Sequence, residues 1–200
     1  MAGSVSSRKA GAAYTIVTAF LILAVVGATA QMGTRIYQAV SPANTLQVPA
    51  TIAPEELDIR GLPERVEIPQ TIEVQVNVAD PNPGQLAMAL LMDLGPWVLV
   101  VAGLLLLRAL AGSIRKAEPF GAANVSRLRK LGFVLLAYPL VQAMSSFLLG
   151  GLLDSAELPQ AVGRSATLHL TGAVAGLGVL VLAEVFAHGV ELREDVEGTV

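Results

Sequence analysis

The chain has 200 residues, 54% of them apolar and only 14% charged, with no cysteine and a formal charge of -3. A mean hydropathy of +0.63 sets it apart from soluble domains, in which about a quarter of residues are charged. The absence of thiols excludes disulfides, thiolate metal ligands and cysteine nucleophiles, and the net charge is too small to carry a message except through where each sign falls.

Four apolar stretches, roughly Ala13 to Met32, Leu86 to Ile114, Leu131 to Leu153 and Leu168 to Phe186, fill nearly half the chain. Each approaches or exceeds the ~20 residues a helix needs to cross a hydrocarbon core of ~30 Å. Without water there, the backbone satisfies itself only as helix. The expected fold is an all-α membrane protein, a four-transmembrane-helix bundle with a small β-containing extracytoplasmic loop between helices 1 and 2.

A cytoplasmic N-terminus over 1–12 carries Arg8 and Lys9 ahead of a first span over 13–37. The same basic flank, the run from Tyr14 to Gly27, and Ala28, Thr29 and Ala30 also imitate a secretory signal with its small-residue cleavage site. The run is long for a signal and Gln31 to Tyr37 continues the helix outward, which favours a span.

The segment 38–85 is broken by Ser41 and by Pro42, Pro49, Pro54, Pro63, Pro69, Pro81 and Pro83, which excludes helix from most of it. Between Thr71 and Val78, Ile72, Val74, Val76 and Val78 alternate with polar residues, the pattern of a half-buried strand. Thr45 to Val48 and Arg65 to Ile68 are candidate partner strands. A hairpin or three-stranded cap of this size is marginal alone, so it is expected to rest on helix ends or on a partner chain.

The second span, 86–114, contains Pro96, which predicts a kink, and Asp93 within its first two turns. Two readings of Asp93 stand: an interfacial carboxylate, or a proton or cation site facing the bundle. Nearer the other end, Arg108 falls at a depth similar to that of Glu184 in the fourth span. An Arg108–Glu184 intramembrane ion pair is one expectation, since each charge would neutralise the other; snorkelling of Arg108 to lipid phosphates is the alternative.

The connection 115–130 holds Arg115, Lys116, Arg127, Arg129 and Lys130. It reads as a short amphipathic helix with Asn124 as its cap, and its cations suit anionic headgroups. A third span over 131–153, an outer loop over 154–166 with Asp154 and Glu157, and a fourth span over 167–188 follow. Gly172 and Gly176 form a small-residue face there, joined by Gly178, for packing within the bundle in preference to dimerisation. His188 shares a helical face with Glu184, but His169 is distant and the ligand set is incomplete, so no metal is expected.

The tail 189–200 is acidic, with Glu191, Glu194, Asp195 and Glu197 opposite in sign to the basic connection. Arg127, Arg129, Lys130 and these four acids form a candidate cytoplasmic interaction surface. Basic flanks on 1–12 and 115–130, against Glu55, Glu56, Asp58, Glu64, Glu67, Glu73 and Asp80 on the other side, place both termini inside. Tyr14, Trp97 and Tyr138 are candidates for the membrane rim.

The stretch Glu118, Pro119, Phe120 to Asn124, then Arg127, Leu128, Arg129, Leu131 and Gly132, resembles the central signature of the YoaS-like bacterial membrane proteins, a domain-of-unknown-function family. The end of the chain resembles it too, from Ala183, Glu184, Val185, Phe186 and Gly189 through Leu192, Arg193, Glu194 and Asp195 to Thr199 and Val200. The resemblance implies a four-span protein of the bacterial cytoplasmic membrane, often encoded beside a small helix-turn-helix regulator, with no assigned reaction. The outer segment before Leu86 is longer than the resemblance implies.

No catalytic, cofactor or metal constellation stands out: there are no paired histidines, no serine with a histidine at similar depth, and no glycine-rich phosphate loop. The leading expectation is a non-enzymatic membrane partner or sensor for a cytoplasmic regulator. An accessory subunit of a larger membrane complex and a small transporter or channel component are the alternatives, the last weakened by the lack of an internal repeat. The partners expected are the lipid bilayer with its anionic headgroups, and either a small regulator or a larger membrane complex. A homo-oligomer remains an open alternative, and direct nucleic-acid binding has little support.

Overall fold

The computed structural model describes residues 2–41, 45–52, 72–116, 121–156, 162–163 and 170–197, with 2–10, 162–163 and 192–197 described by backbone alone. The elements run α1 (Ala2–Val40), β1 (Thr45–Ile52), β2 (Ile72–Ala79), α2 (Pro83–Arg115), α3 (Ala122–Ser155), β3 (Val162–Gly163) and α4 (Thr171–Glu197). Four helical segments, Gly11–Val40, Pro83–Arg115, Ala122–Ser155 and Thr171–Glu191, are long and apolar enough to cross a membrane. This is a multi-pass membrane protein. At ~1.5 Å per residue the 33 residues of α2 rise about 50 Å, more than the ~30 Å of a hydrocarbon core, so the helix extends past it.

α1 is continuous through Ala28, Thr29 and Ala30, and the amphipathic helix expected before the third span is the first part of α3 itself. Arg65 to Ile68, the Glu118–Phe120 part of the central signature, and the side chains of Glu194, Asp195 and Glu197 lie outside what is described.

The chain divides into two compact units. The first comprises Met1–Thr29, Pro96–Val141 and His169–Val200; the second comprises Ala30–Gly95 and Gln142–Leu168.

In the first unit α3 and α4 run antiparallel at close quarters. A Cβ built on Gly176 would lie 2.8 Å from the Gly132 carbonyl oxygen and 3.0 Å from the Leu136 nitrogen, and one on Gly132 would lie 2.6 Å from Leu180 Cγ. Only hydrogen fits between the two backbones, as in other small-residue membrane interfaces. Pro139 deprives the Leu135 carbonyl of its usual helical donor, and Gly172 comes up against that oxygen, where an added Cβ would sit 3.5 Å away. Gly172 and Gly176 thus pack inside the chain, whereas Gly178 has nothing within 4 Å.

In the second unit β1 pairs antiparallel with β2 from Thr45↔Ala79 to Ile52↔Ile72, and β3 adds two pairs at Thr51 and Ile52, giving the order β2-β1-β3. The expected alternation holds: Leu46, Val48, Ala50 and Val78 are buried, while Gln47, Pro49, Glu73, Gln75 and Asn77 are exposed. Pro49 is tolerated in β1 because, among the described residues, β3 pairs only with Thr51 and Ile52 and no strand lies along that side of Pro49. The ribbon does rest on helix ends, its buried face forming one cluster with Ala89 and Met92 of α2 and Leu149, Leu152 and Leu153 of α3.

The start of α2 is a reciprocal cap. The Gln85 backbone N–H donates to Asn82 Oδ1 at 2.9 Å and the Asn82 N–H donates to Gln85 Oε1 at 2.9 Å, with Pro83 as first helical residue. The buried Gln85 amide also donates to the Ser155 carbonyl and hydroxyl oxygens at 3.2 Å, fastening the start of α2 to the end of α3. Asp80 just before it adopts a left-handed φ of 48°, which an aspartate accepts more readily than most residues.

Helix α2 passes through Pro96. A proline removes the N–H that the carbonyl four residues earlier would receive; that carbonyl belongs to Met92, and Ser145 Oγ on α3 donates to it at 3.0 Å.

Candidate functional site

Each unit holds a cavity lined by polar side chains, and the charges at the two differ. In the second unit, Arg35 near the end of α1 meets Asp93 in the third turn of α2: Arg35 Nε donates to Asp93 Oδ2 at 2.8 Å, and the two side chains are 13% and 10% exposed. The same guanidinium donates to the Gln47 carbonyl of β1, tying both helices to the sheet. Beside the pair, Gln31, Thr34, Gln38, Gln47 and Gln75 line a cavity of about 240 Å³, and the buried Gln38 Oε1 has no hydrogen-bond partner among the described residues. Asp93 is therefore a neutralised carboxylate held by a cation. The surroundings explain it, because an unpaired carboxylate at such burial would be costly.

The first unit holds the opposite arrangement. Arg108, Gly112 and Arg115 lie four and three residues apart on one face of α2. Gly112 leaves room for the Tyr14 ring of α1, whose Cε2 would lie 3.8 Å from an added Cβ. The Arg108 and Arg115 guanidinium carbons stand 5.2 and 4.9 Å from that ring's centroid. Arg108 Nη2 also donates to the Tyr14 hydroxyl at 2.8 Å, while its buried Nε has no partner among the described residues.

Across the turn, Asn124 is buried in the first turn of α3. Its Nδ2 donates to Ser113 Oγ at 2.7 Å and its Oδ1 accepts from Arg127 at 2.7 Å. Asn124 is thus not the helix cap. Its backbone N–H bonds the Gly121 carbonyl at 2.8 Å, so the helix begins earlier and the amide is released to join α2 to α3. Together these groups line a cavity of about 510 Å³ that includes Arg108, Arg115, Lys116 and Arg127 and, among the described residues, no acid.

Each cation–π contact contributes ~0.5–2 kcal/mol depending on desolvation. An arginine within a span costs ~2.5–3.5 kcal/mol on the insertion scale. The ring and one hydroxyl therefore offset part of the cost of this cationic cluster, and no acid among the described residues lines it.

The expected Arg108–Glu184 pair is corrected: each residue has another partner. Arg129 Nε and Nη2 donate to the two carboxylate oxygens of Glu184 at 3.0 and 3.1 Å. The cause is the α3–α4 register. With Gly132 against Leu180, antiparallel helices bring Arg129, one turn before Gly132, opposite Glu184, one turn after Leu180. The pair is exposed, with side chains 47% and 59% accessible. Arg108 faces α1 instead.

His188 Nδ1 lies 3.1 Å from the Glu184 backbone carbonyl and Lys130 and Glu191 are exposed. The partner roles of Tyr14, Ser113 and Arg35 were not expected from sequence, which offered Tyr14 only as a rim residue. The seven-residue spacing of Arg108 and Arg115 around a glycine was the available signal for an aromatic seated between them.

The sequence model of a family described as proteins of unknown function, DUF2975, matches residues 43–200, from just before β1 to the last residue. No curated protein and no solved structure matches the chain.

Proposed function

We propose that this chain, which belongs to the DUF2975 family of proteins of unknown function, is a non-enzymatic membrane partner or sensor that presents a cytoplasmic surface to a small regulator. The observation that carries this reading is the concentration of Arg115, Lys116, Arg127, Arg129 and Lys130 around the α2–α3 turn, in the same unit as the acidic end of α4. By the positive-inside rule that turn and both termini are cytoplasmic. The YoaS-like resemblance of the turn and of the final residues adds the bacterial plasma membrane and a helix-turn-helix protein as the regulator. The Arg129–Glu184 pair links the two halves of this surface.

Recovery of partners from native membranes, with the full chain and with Glu191 to Val200 deleted, tests the reading. Loss of a small cytoplasmic protein from the deleted form is expected; unchanged recovery counts against it.

A second reading, an accessory subunit of a larger membrane complex, draws on the sheet. The order β2-β1-β3 leaves the outer edge of β2 unpaired among the described residues, and such an edge accepts a strand from another chain. It predicts co-purification with a large assembly. A transporter reading is the weaker for the engagement of Asp93 by Arg35.

A further inference from the structure

We infer that the cavity between Tyr14, the end of α2 and the start of α3 is a binding site for a phosphate-bearing anion. The site rests on geometry independent of any regulator. Arg108, Arg115, Lys116 and Arg127 converge on a space of about 510 Å³ with no acid among its described lining residues. That is the size range of small-molecule sites, about 300–1,000 Å³, and far beyond the ~30 Å³ share of one water.

The donors suit phosphate in kind as well as in sign. Guanidinium groups present planar forks that match phosphate oxygens. Arg108 also lines the cavity while its Nη2 is held by the Tyr14 hydroxyl, so its guanidinium is positioned at the site. Tyr14 fixes both Arg108 and Arg115 against one ring, their guanidinium carbons 5.2 and 4.9 Å from its centroid. Side chains already held in place lose less freedom when an anion binds.

Position narrows the source. The site lies where the apolar run of α2 gives way to Arg115 and Lys116, the level of headgroups, and Leu105 and Ala109 give the cavity an apolar wall. Basic pockets between spans at this level take anionic lipid headgroups. A free phosphate or phosphomonoester offers the same oxygens, and the experiment separates the two.

The full-length chain, purified in neutral detergent, is mixed with short-chain phosphatidylglycerol, with phosphatidylcholine of equal acyl length, and with sodium phosphate, and binding is read by native mass spectrometry. Phosphatidylglycerol is expected to occupy one site that phosphatidylcholine does not. If millimolar sodium phosphate displaces it, the natural ligand is a free phosphate; if not, it is the lipid headgroup.

Arg108→Gln with Arg115→Gln is expected to weaken binding at least about tenfold, at roughly fivefold per headgroup-contacting cation. Arg60→Gln, which removes a charge from the segment between β1 and β2, leaves it unchanged. Should the double variant fail to fold, Lys116→Gln and Arg127→Gln at the turn provide the same measurement. Equal retention of the two lipids with no binding of phosphate overturns the site, as does wild-type affinity in the folded variants. The pull-down with Glu191 to Val200 deleted leaves all four of these cations in place, so its failure and the failure of the anion site are separate outcomes.

Discussion

Ser145 on α3 supplies the hydrogen bond that Pro96 cannot give to the Met92 carbonyl, donating from Oγ at 3.0 Å. The proline of one helix thereby becomes a reason for the hydroxyl of another. Ser145→Ala is expected to cost about 1 kcal/mol, within the ~0.6–2 kcal/mol range of hydrogen bonds between membrane helices. In a Pro96→Ala background, where the backbone regains its own N–H, the same change should cost little. Thermal unfolding in detergent of both singles and the double reads this coupling, and strictly additive losses would refute it.

The Arg35–Asp93 pair makes a second prediction. Removing one partner strands the other charge where little water reaches it, so Asp93→Asn and Arg35→Gln should each destabilise, towards the lower end of the ~3–5 kcal/mol seen for buried pairs. Replacing both by leucine should cost less than either single change. Denaturation midpoints decide, and a double variant worse than the sum of its parts would contradict an ion pair.

Arg129 and Glu184 are far more exposed, and exposed pairs are weak and screened. Glu184→Gln is therefore expected to lower the unfolding midpoint less than Asp93→Asn does, and the difference from wild type should shrink as salt is added. A loss equal to that of Asp93→Asn, insensitive to salt, would show that the pair is shielded from water.

The glycines of α4 predict opposite outcomes for one chemical change. Gly176→Ala forces a methyl to 2.8 Å from the Gly132 oxygen and should destabilise by about 1–3 kcal/mol, the usual range for overpacking. Gly178→Ala meets open space and should be neutral or gain up to ~1 kcal/mol of helix propensity. Parallel melting curves of the two variants test the assignment of the packed face.

The spans and β2 were legible because each obeys a one-dimensional rule: length of apolar run for helices, alternation for the strand. The Thr45–Val48 part of β1 was legible too; its continuation through Pro49 was not, because proline's acceptability there depends on how far β3 reaches. Partner choice was least legible. Depth along the membrane normal allowed Arg108 and Glu184 to meet, but the helical face on which each stands, set by Gly112 and by Gly132, assigned them to Tyr14 and Arg129. Arg35 and Asp93 are 58 positions apart on two different helices, and no local pattern in the sequence links them.

Leu23, Leu140 and Phe147 expose 66%, 72% and 71% of their surface. Both units carry a large apolar exposed surface, where a water-soluble protein would bury most such side chains. Acyl chains in contact with it are thus a component of its folding free energy, and bilayer thickness is a thermodynamic variable for the native state. Where hydrophobic span and hydrocarbon slab differ, the mismatch is relieved by tilt or local deformation at a cost of fractions of a kcal/mol per Å, roughly. Membranes of unequal thickness would accordingly retain this protein unequally.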